Sequence, residues 1–418
     1  MNYLIVNHIP AHAGKDPAHL VVPRRWLNEL QAQGGALHQV GMRLMVATPV
    51  APRDAAAPEN DDVEINPADV GFEHVATLGY DSARSYLANR AELARQLREA
   101  VNAADVVQLD DGGHPVPVGL EANDAATEAK RKRVWVFGRE DPTDRLRLIN
   151  LARRAAKRFV GHTVTRNMAS RLADAVRDAD LVLAHSARVQ KRFAEVWNPQ
   201  RCHLIDRMEV HEHEMLDAAS IEARRELLMQ QDRPLRLLAA GRQVAISGTD
   251  HVLRAVAKCR RLHVPVELTV AGDGQDLDFF RSLAWQLGLE TGVHFVQERD
   301  AVTQAWREAD LLVSGALSDV IPREVVLAVA RGLTPIMYAS TEAADGHGDG
   351  LIGDERYGEA ILTVARGDAD RLADRLVRAA GQRTALVQRM FKGLAWMKPR
   401  TIEATHRTRA AMVRNLIQ

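Results

Sequence analysis

Arg242 stands just past the apolar run Leu235–Ala240 and six residues before Gly248. A guanidinium at the end of a buried strand, with a glycine opening the next helix, suits an anion of the phosphate type. The arginine supplies charge-assisted donors, and the helix N-terminus supplies backbone N–H groups. A glycine at the helix start lets the backbone approach that anion closely. Ser247 adds one hydroxyl beside it. The other reading of Arg242 is a surface arginine paired with a carboxylate. Gly272 and Gly274 follow a second apolar run, Val266–Ala271, and are either a second close approach or a plain tight turn.

Three further clusters carry chemistry. Asp110 and Asp111 follow Asp105–Leu109 and read either as a general base toward a hydroxyl or as turn aspartates before Gly112-Gly113. His211-Glu212-His213-Glu214 has metal-site residue types, but an H-x-H pair shares one side only in a strand, and no third ligand stands nearby in sequence. A polar hinge is the favoured reading, and no metal is expected. Residues 130–177 hold 14 Lys/Arg against 4 Asp/Glu, about +10 within a chain of net charge zero. Leu146, Ile149 and Phe159 interleave there with Arg145, Arg153, Arg154, Lys157 and Arg158. Such a surface fits anionic lipid headgroups, or is a solvated face neutralised by carboxylates elsewhere.

The elements that must position these residues are short apolar runs alternating with helical patterns. Tyr3–Val6, Leu44–Thr48, Asp105–Leu109, Arg133–Phe137 and Asp180–Ala184 read as strands, and residues 82–103 as a helix opened by Ser82. The pattern restarts with strands at Leu235–Ala240, Val266–Ala271, Val293–Val296, Asp310–Ser314 and Thr334–Tyr338. Helices over 249–262, 276–287, 301–308 and 322–331 separate them. Buried runs alternating with helices imply parallel sheets covered on both faces. The expectation is an α/β chain of two Rossmann-like, doubly wound domains facing across a cleft. Domain one covers 1–210, domain two covers 211–395, and 396–418 is a helix crossing back to the first. The polar stretch 206–234 is the expected linker, and 51–62 reads as a surface loop.

Composition narrows the class. With 418 residues, 46% hydrophobic and 26% charged, the chain is an ordinary globular one. Lys+Arg 55 against Asp+Glu 55 argues against a whole-chain nucleic-acid binder. Cys202 and Cys259 rule out a disulfide scaffold and point to a reducing cytoplasm. No run approaches the roughly 20 apolar residues that span a bilayer, and the N-terminus reads as a first strand rather than a signal peptide.

The second half resembles the donor domain of family-4 glycosyltransferases (glycosyl transferases group 1), which have the GT-B fold. The resemblance rests on six motifs in order. Leu237–Arg242 resembles a strand ending in Gly-Arg, and Ser247-Gly248-Thr249-Asp250 with Leu253 and Ala255 a "KG-x-D-x-L-x-x-A" helix start. Leu268–Gly274 resembles "L-x-I-x-G-x-G", and Leu287-Gly288-Leu289 with Val293 and Phe295 "LGL-x-x-x-V-x-F". Ala309–Ser314 resembles "A-D-x-x-V-x-P-S", and Asp319 through Gly332 and Pro335 the acidic motif and its following turn. The likeness is close over about 235–340 and extends to the first half only in layout.

The chain departs from that pattern. Ser247 stands where the family has a Lys, removing a side-chain charge. The first acid of the pair is Asp319, while the second position is Leu327. Glu324 shares a helix face with Leu327, and Arg323 follows Pro322 in the first turn. The two either take over the ribose and the missing positive charge or are ordinary charges at an exposed helix start. In the first half, Lys15 in the loop 8–15 is either a cleft residue or a solvated lysine. Glu140 and Asp141 follow the strand 133–137, where the family often has a His.

The resemblance implies a hexosyltransferase using a nucleotide diphosphate sugar, with a glycan or lipid-linked acceptor, retention, no metal and no cofactor. Arg242 would hold the diphosphate with Ser247, Gly248, Gly272 and Arg323. Asp319 would hold the donor sugar and Glu324 the ribose, with Lys15, Asp110 and Glu140 on the acceptor or sugar side. Polysaccharide biosynthesis in a bacterial cytoplasm, peripheral to the membrane's inner face, is the implied setting. A non-catalytic homologue that binds nucleotide or glycan is the alternative, and the missing Lys and Leu327 favour it.

Overall fold

The computed structural model describes residues 1–52, 61–80, 82–112, 116–138, 167–185, 189–191, 193, 200–205, 209–317, 321–339 and 360–418. The chain divides into two compact units, Met1–Arg207 with Ile402–Gln418, and Met208–Thr401. The boundary therefore falls at 207/208, and the tail joins the first unit from Ile402.

The first unit opens with β1 (Asn2–Val6), β2 (Ala11–Ala13), β3 (Leu20–Pro23), α1 (Arg24–Gln39), β4 (Arg43–Ala51), β5 (Asp62–Ile65) and β6 (Phe72–Thr77). It continues through α2 (Ala83–Asn102), β7 (Val106–Asp110), α3 (Val118–Glu128), β8 (Lys132–Phe137), β9 (Leu181–Ala184) and β10 (Cys202–Leu204). The described strands run β10-β9-β8-β7-β1-β4-β2-β3-β5, with β6 also on β4. Alternate residues of β1 enter different apolar clusters, Leu4 and Val6 on one face, Tyr3 and Ile5 on the other. This two-sided burial is why the parallel strands read as continuous apolar runs. Ser82 caps α2, its hydroxyl accepting from Ser85 N–H.

The second unit holds α4 (Ala218–Met229), β11 (Leu235–Ala240), α5 (Thr249–Arg261), β12 (Val266–Ala271), α6 (Leu277–Gln286) and β13 (Val293–Val296). Then come α7 (Arg299–Glu308), β14 (Leu311–Ser314), α8 (Arg323–Ala330), β15 (Thr334–Tyr338), β16 (Leu362–Val364), α9 (Ala369–Gly381) and α10 (Arg383–Met397). The sheet order is β13-β12-β11-β14-β15-β16, and every pair is parallel. Leu237 and Ala239 face one cluster and Leu238 the other.

The final helix, α11 (Ile402–Asn415), belongs to the first unit. Ala410 and Val413 join the cluster that contains Leu27 and Leu30 of α1. His406 Nε2 lies 3.0 Å from Glu29 Oε1.

Two expectations are corrected. The loop 8–15 contains β2, which pairs parallel with β4 and antiparallel with β3: past Pro10 the chain continues in the direction of β1 and meets the end of β4, Ala11 opposite Val50. The expected linker 206–234 contains α4, with Arg224 and Leu228 buried in it. Within that polar stretch Arg224 is a buried partner for backbone carbonyls.

Candidate functional site

The second unit places Gly241, Arg242, Gly248 and Gly272 at the carboxyl ends of its strands or the helix start that follows. Gly241 follows β11 with φ +121°, a left-handed backbone that glycine tolerates. A Cβ there would lie 2.7 Å from Oε1 of Glu324, so the Glu324 carboxylate rests directly on Gly241. Gly272 closes in from β12: its own Cβ would fall 2.1 Å from the Gly241 carbonyl oxygen. Gly274 repeats the contact against the Gln243 carbonyl at 2.1 Å. The G-x-G after β12 is thus a close packing of two backbones, stitched by Gly241 N–H to Ala271 O and Gln243 N–H to Asp273 O.

Gly248 introduces α5 with φ +64°, and a Cβ there would lie 1.7 Å from Gly315 O. The start of α5 is therefore locked to the carboxyl end of β14. Arg242 is exposed on this rim, and among the described residues no carboxylate or carbonyl holds its guanidinium. Among the described residues Arg242 is not half of a surface ion pair.

Two expected contributors are committed elsewhere. The Ser247 hydroxyl donates to Val244 O at 2.6 Å, within its own turn, so its single proton is not free for a phosphate. Arg323 donates to Glu214 at 2.7 Å, and that carboxylate takes the charge expected to replace the Lys. Asp319 and Glu140 lie outside the described residues, as does Asp141. Leu327 is buried in an apolar cluster with Val325, Val329 and Met337, so it is a core residue.

The rim also holds a pair not singled out from sequence. The buried Tyr338 hydroxyl, at the end of β15, lies 2.9 Å from Nδ1 of His251 in the first turn of α5. Burial, reinforced by Asp368 and Asp250, pushes the phenol well above its usual range, so it stays protonated. His251 Nε2 is 3.8 Å from Asp250. The strand-end position of Tyr338 and the helix-start position of His251 were the available signal.

The first unit carries its own strand-end cluster. Asp110 ends β7, and its carboxylate accepts from Gly112 N–H at 2.8 Å, which is turn chemistry. The same oxygen lies 3.7 Å from His8 Nδ1, and the His8 ring covers Gly112, where a Cβ would fall 1.8 Å away. Tyr86 donates to the buried Glu121 at 2.5 Å. Burial and that carboxylate push Tyr86 up to about 12. Lys15 is exposed at the β2–β3 hairpin, and its backbone N–H donates to Glu64. His211 and His213 flank Glu212 at a 3-10 turn (Glu212–Glu214), their rings stacked at 5.2 Å, rather than in a strand. Most of the basic stretch, 139–166, lies outside the described residues.

Two parallel-sheet α/β units with these strand ends define the GT-B fold class. Residues 220–380 match the family model for glycosyl transferases group 1. Over 99% of its length the chain is similar to the structure of Anabaena Alr3699/HepE in complex with UDP, at 14% identity, 100% coverage of that chain and a TM-score of 0.60. A glycosyltransferase from Rickettsia africae ESF-5 gives 12% identity, coverage of 100% and 98%, and a TM-score of 0.58. The lipopolysaccharide outer core galactosyltransferase WaaB gives 12%, 99% and 99%, and 0.56. In sequence, the chain is 27% identical over 138 residues to an exopolysaccharide phosphotransferase, SCO2592, of Streptomyces coelicolor. That match covers 33% of this chain and 14% of the relative's length. Among the described residues no helix is long and apolar enough to cross a membrane.

Proposed function

We propose that the chain is a glycosyltransferase that moves a hexose from a nucleotide diphosphate sugar to a glycan or lipid-linked acceptor, with retention and with no metal or cofactor. The observation that carries this reading is that Arg242, without a partner among the described residues, and a Glu324 carboxylate seated on Gly241 stand at one strand-end rim. Breaking a sugar–diphosphate bond places negative charge on the leaving group, and a preorganised guanidinium beside helix N-terminal N–H groups stabilises it. Arg242 and the start of α5 have that role. Glu324 accepts from the ribose hydroxyls in place of the acid replaced by Leu327. Asp319 remains assigned to the donor sugar by resemblance. His8 and Asp110 are the acceptor-side groups of the first unit.

The Anabaena HepE structures with UDP and UDP-glucose support UDP-glucose as the first donor to try. The basic stretch supports an acceptor, or a peripheral contact, that is anionic. The test is release of free nucleotide diphosphate when acceptor glycans are added to protein and donor.

One observation favours a second reading, a non-catalytic nucleotide or glycan binder. With Ser247 and Arg323 both engaged inside the protein, Arg242 is left as the described rim's one assigned diphosphate cation. Donor binding without diphosphate release across a panel of acceptors would select that reading.

A further inference from the structure

A separate pocket of about 680 Å3 opens in the second unit, with walls that include Glu214, Leu216, Arg224, Trp306, Arg307 and Arg331. Arg307 lies near the end of α7, just before β14, and Arg331 lies just before β15. These are the amino ends of parallel strands, the opposite edge of the sheet from Arg242.

The arginines differ in what they are free to do. Arg224 is buried and committed: it donates to Ala309 O at 2.5 Å, Trp306 O at 3.1 Å and Arg307 O at 3.2 Å, which neutralises the C-terminal end of α7. The end of α8 needs no such help. Its carbonyls at Leu327, Ala328, Val329 and Ala330 accept from the backbone N–H groups of Arg331, Leu333, Gly332 and Leu216. The Arg331 guanidinium is therefore surplus to helix capping. It lies 5.0 Å from the centre of the Trp306 ring, half-buried, and burial pulls it below its ordinary value. Arg323 and Arg307 add repulsion; Glu214 offsets part of it but is itself paired with Arg323. No carboxylate is paired with Arg331 or Arg307 among the described residues.

We propose that this pocket binds a small phosphate monoester. Three arginine walls against one carboxylate leave an excess of positive charge that a dianion matches. Arg331, stiffened by Trp306, offers a guanidinium fork of the kind that grips phosphate oxygens from two donors, and Arg307 supplies the second cation. Leu216 and Leu227 line the wall for the carbon body, and Ser220 and Thr303 offer hydroxyls. The volume lies within the range of small-molecule sites, roughly 300–1,000 Å3. This site is independent of the nucleotide-sugar reading.

The test is calorimetric titration of ribose 5-phosphate into the full chain, alone and with excess UDP, with ribose as control. Binding that persists in UDP, is absent for ribose, and weakens at least tenfold in both Arg331→Gln and Arg307→Gln is expected. Arg307→Gln changes an exposed residue, and melting temperatures of both variants confirm folding. No binding to the wild type, equal binding in folded Arg307→Gln, or loss of binding in UDP would overturn the proposal; the last would move the phosphate to the strand-end rim.

Discussion

The Glu324 carboxylate lies against Gly241 so closely that a single methyl at 241 would stand 2.7 Å from Oε1 and 2.9 Å from Cδ. The side chain thereby aims at the end of β11, beside Arg242. Gly241→Ala should push Glu324 off the rim, and its φ of +121° adds backbone strain of about 1–3 kcal/mol. Donor affinity should fall more than the melting temperature predicts. Calorimetry beside thermal denaturation separates the two effects.

Asp310 is fully buried and held by Arg233 at 2.6 and 2.8 Å, Arg383 at 3.0 Å and Arg236 N–H at 2.9 Å. Asp310→Ala leaves two guanidinium groups without their carboxylate in the interior. The expected loss is about 3–5 kcal/mol, read as a drop in the denaturant midpoint. A change below about 1 kcal/mol would assign these arginines to other partners.

Leu327→Glu should destabilise the second unit rather than improve the donor site, since Leu327 is buried in the apolar cluster that also holds Leu312, Trp306 and Met337. An unpaired carboxylate there costs at least about 2 kcal/mol. A Leu327→Glu protein that is as stable as wild type and binds donor more tightly would place position 327 in the site after all.

The donor rim was legible because it depends on local order. A buried strand ending in Gly241-Arg242, and a glycine before a helix start, are adjacent in sequence, and the structure puts them at one edge. The fates of Ser247 and Arg323 were not legible, for two physical reasons. A serine in a tight turn competes for its own backbone carbonyls, which residue type alone does not reveal. Arg323 meets Glu214 across 109 positions, a pairing set by how α8 packs against the turn at 212–214. Leu327 could be read as core because its helix neighbours are apolar. The strand β2 is not legible because Pro10 and His12 resemble a loop, whereas its pairing with β3 and β4 on either side, not intrinsic propensity, makes these three residues a strand.

The charge pattern of 130–177 carries a prediction independent of the rim. Reversing Arg153, Arg154, Lys157 and Arg158 to Glu should remove sedimentation with anionic vesicles at low salt and leave nucleotide affinity unchanged. Wild-type protein that stays in the supernatant with such vesicles would dismiss the membrane contact.

The central claim is that Arg242 and Glu324 hold a nucleotide diphosphate sugar. Its most direct test is calorimetric titration of UDP-, GDP-, ADP- and TDP-sugars into wild type, followed by the binding member into Arg242→Ala and Glu324→Ala. The account predicts one donor that binds the wild type. Arg242→Ala should lose about 1.5–3 kcal/mol and Glu324→Ala about 1–3 kcal/mol, roughly ten- to hundredfold in dissociation constant, with melting temperatures of the free proteins unchanged. Affinities equal to wild type in both variants, or no binding of any donor, would contradict it.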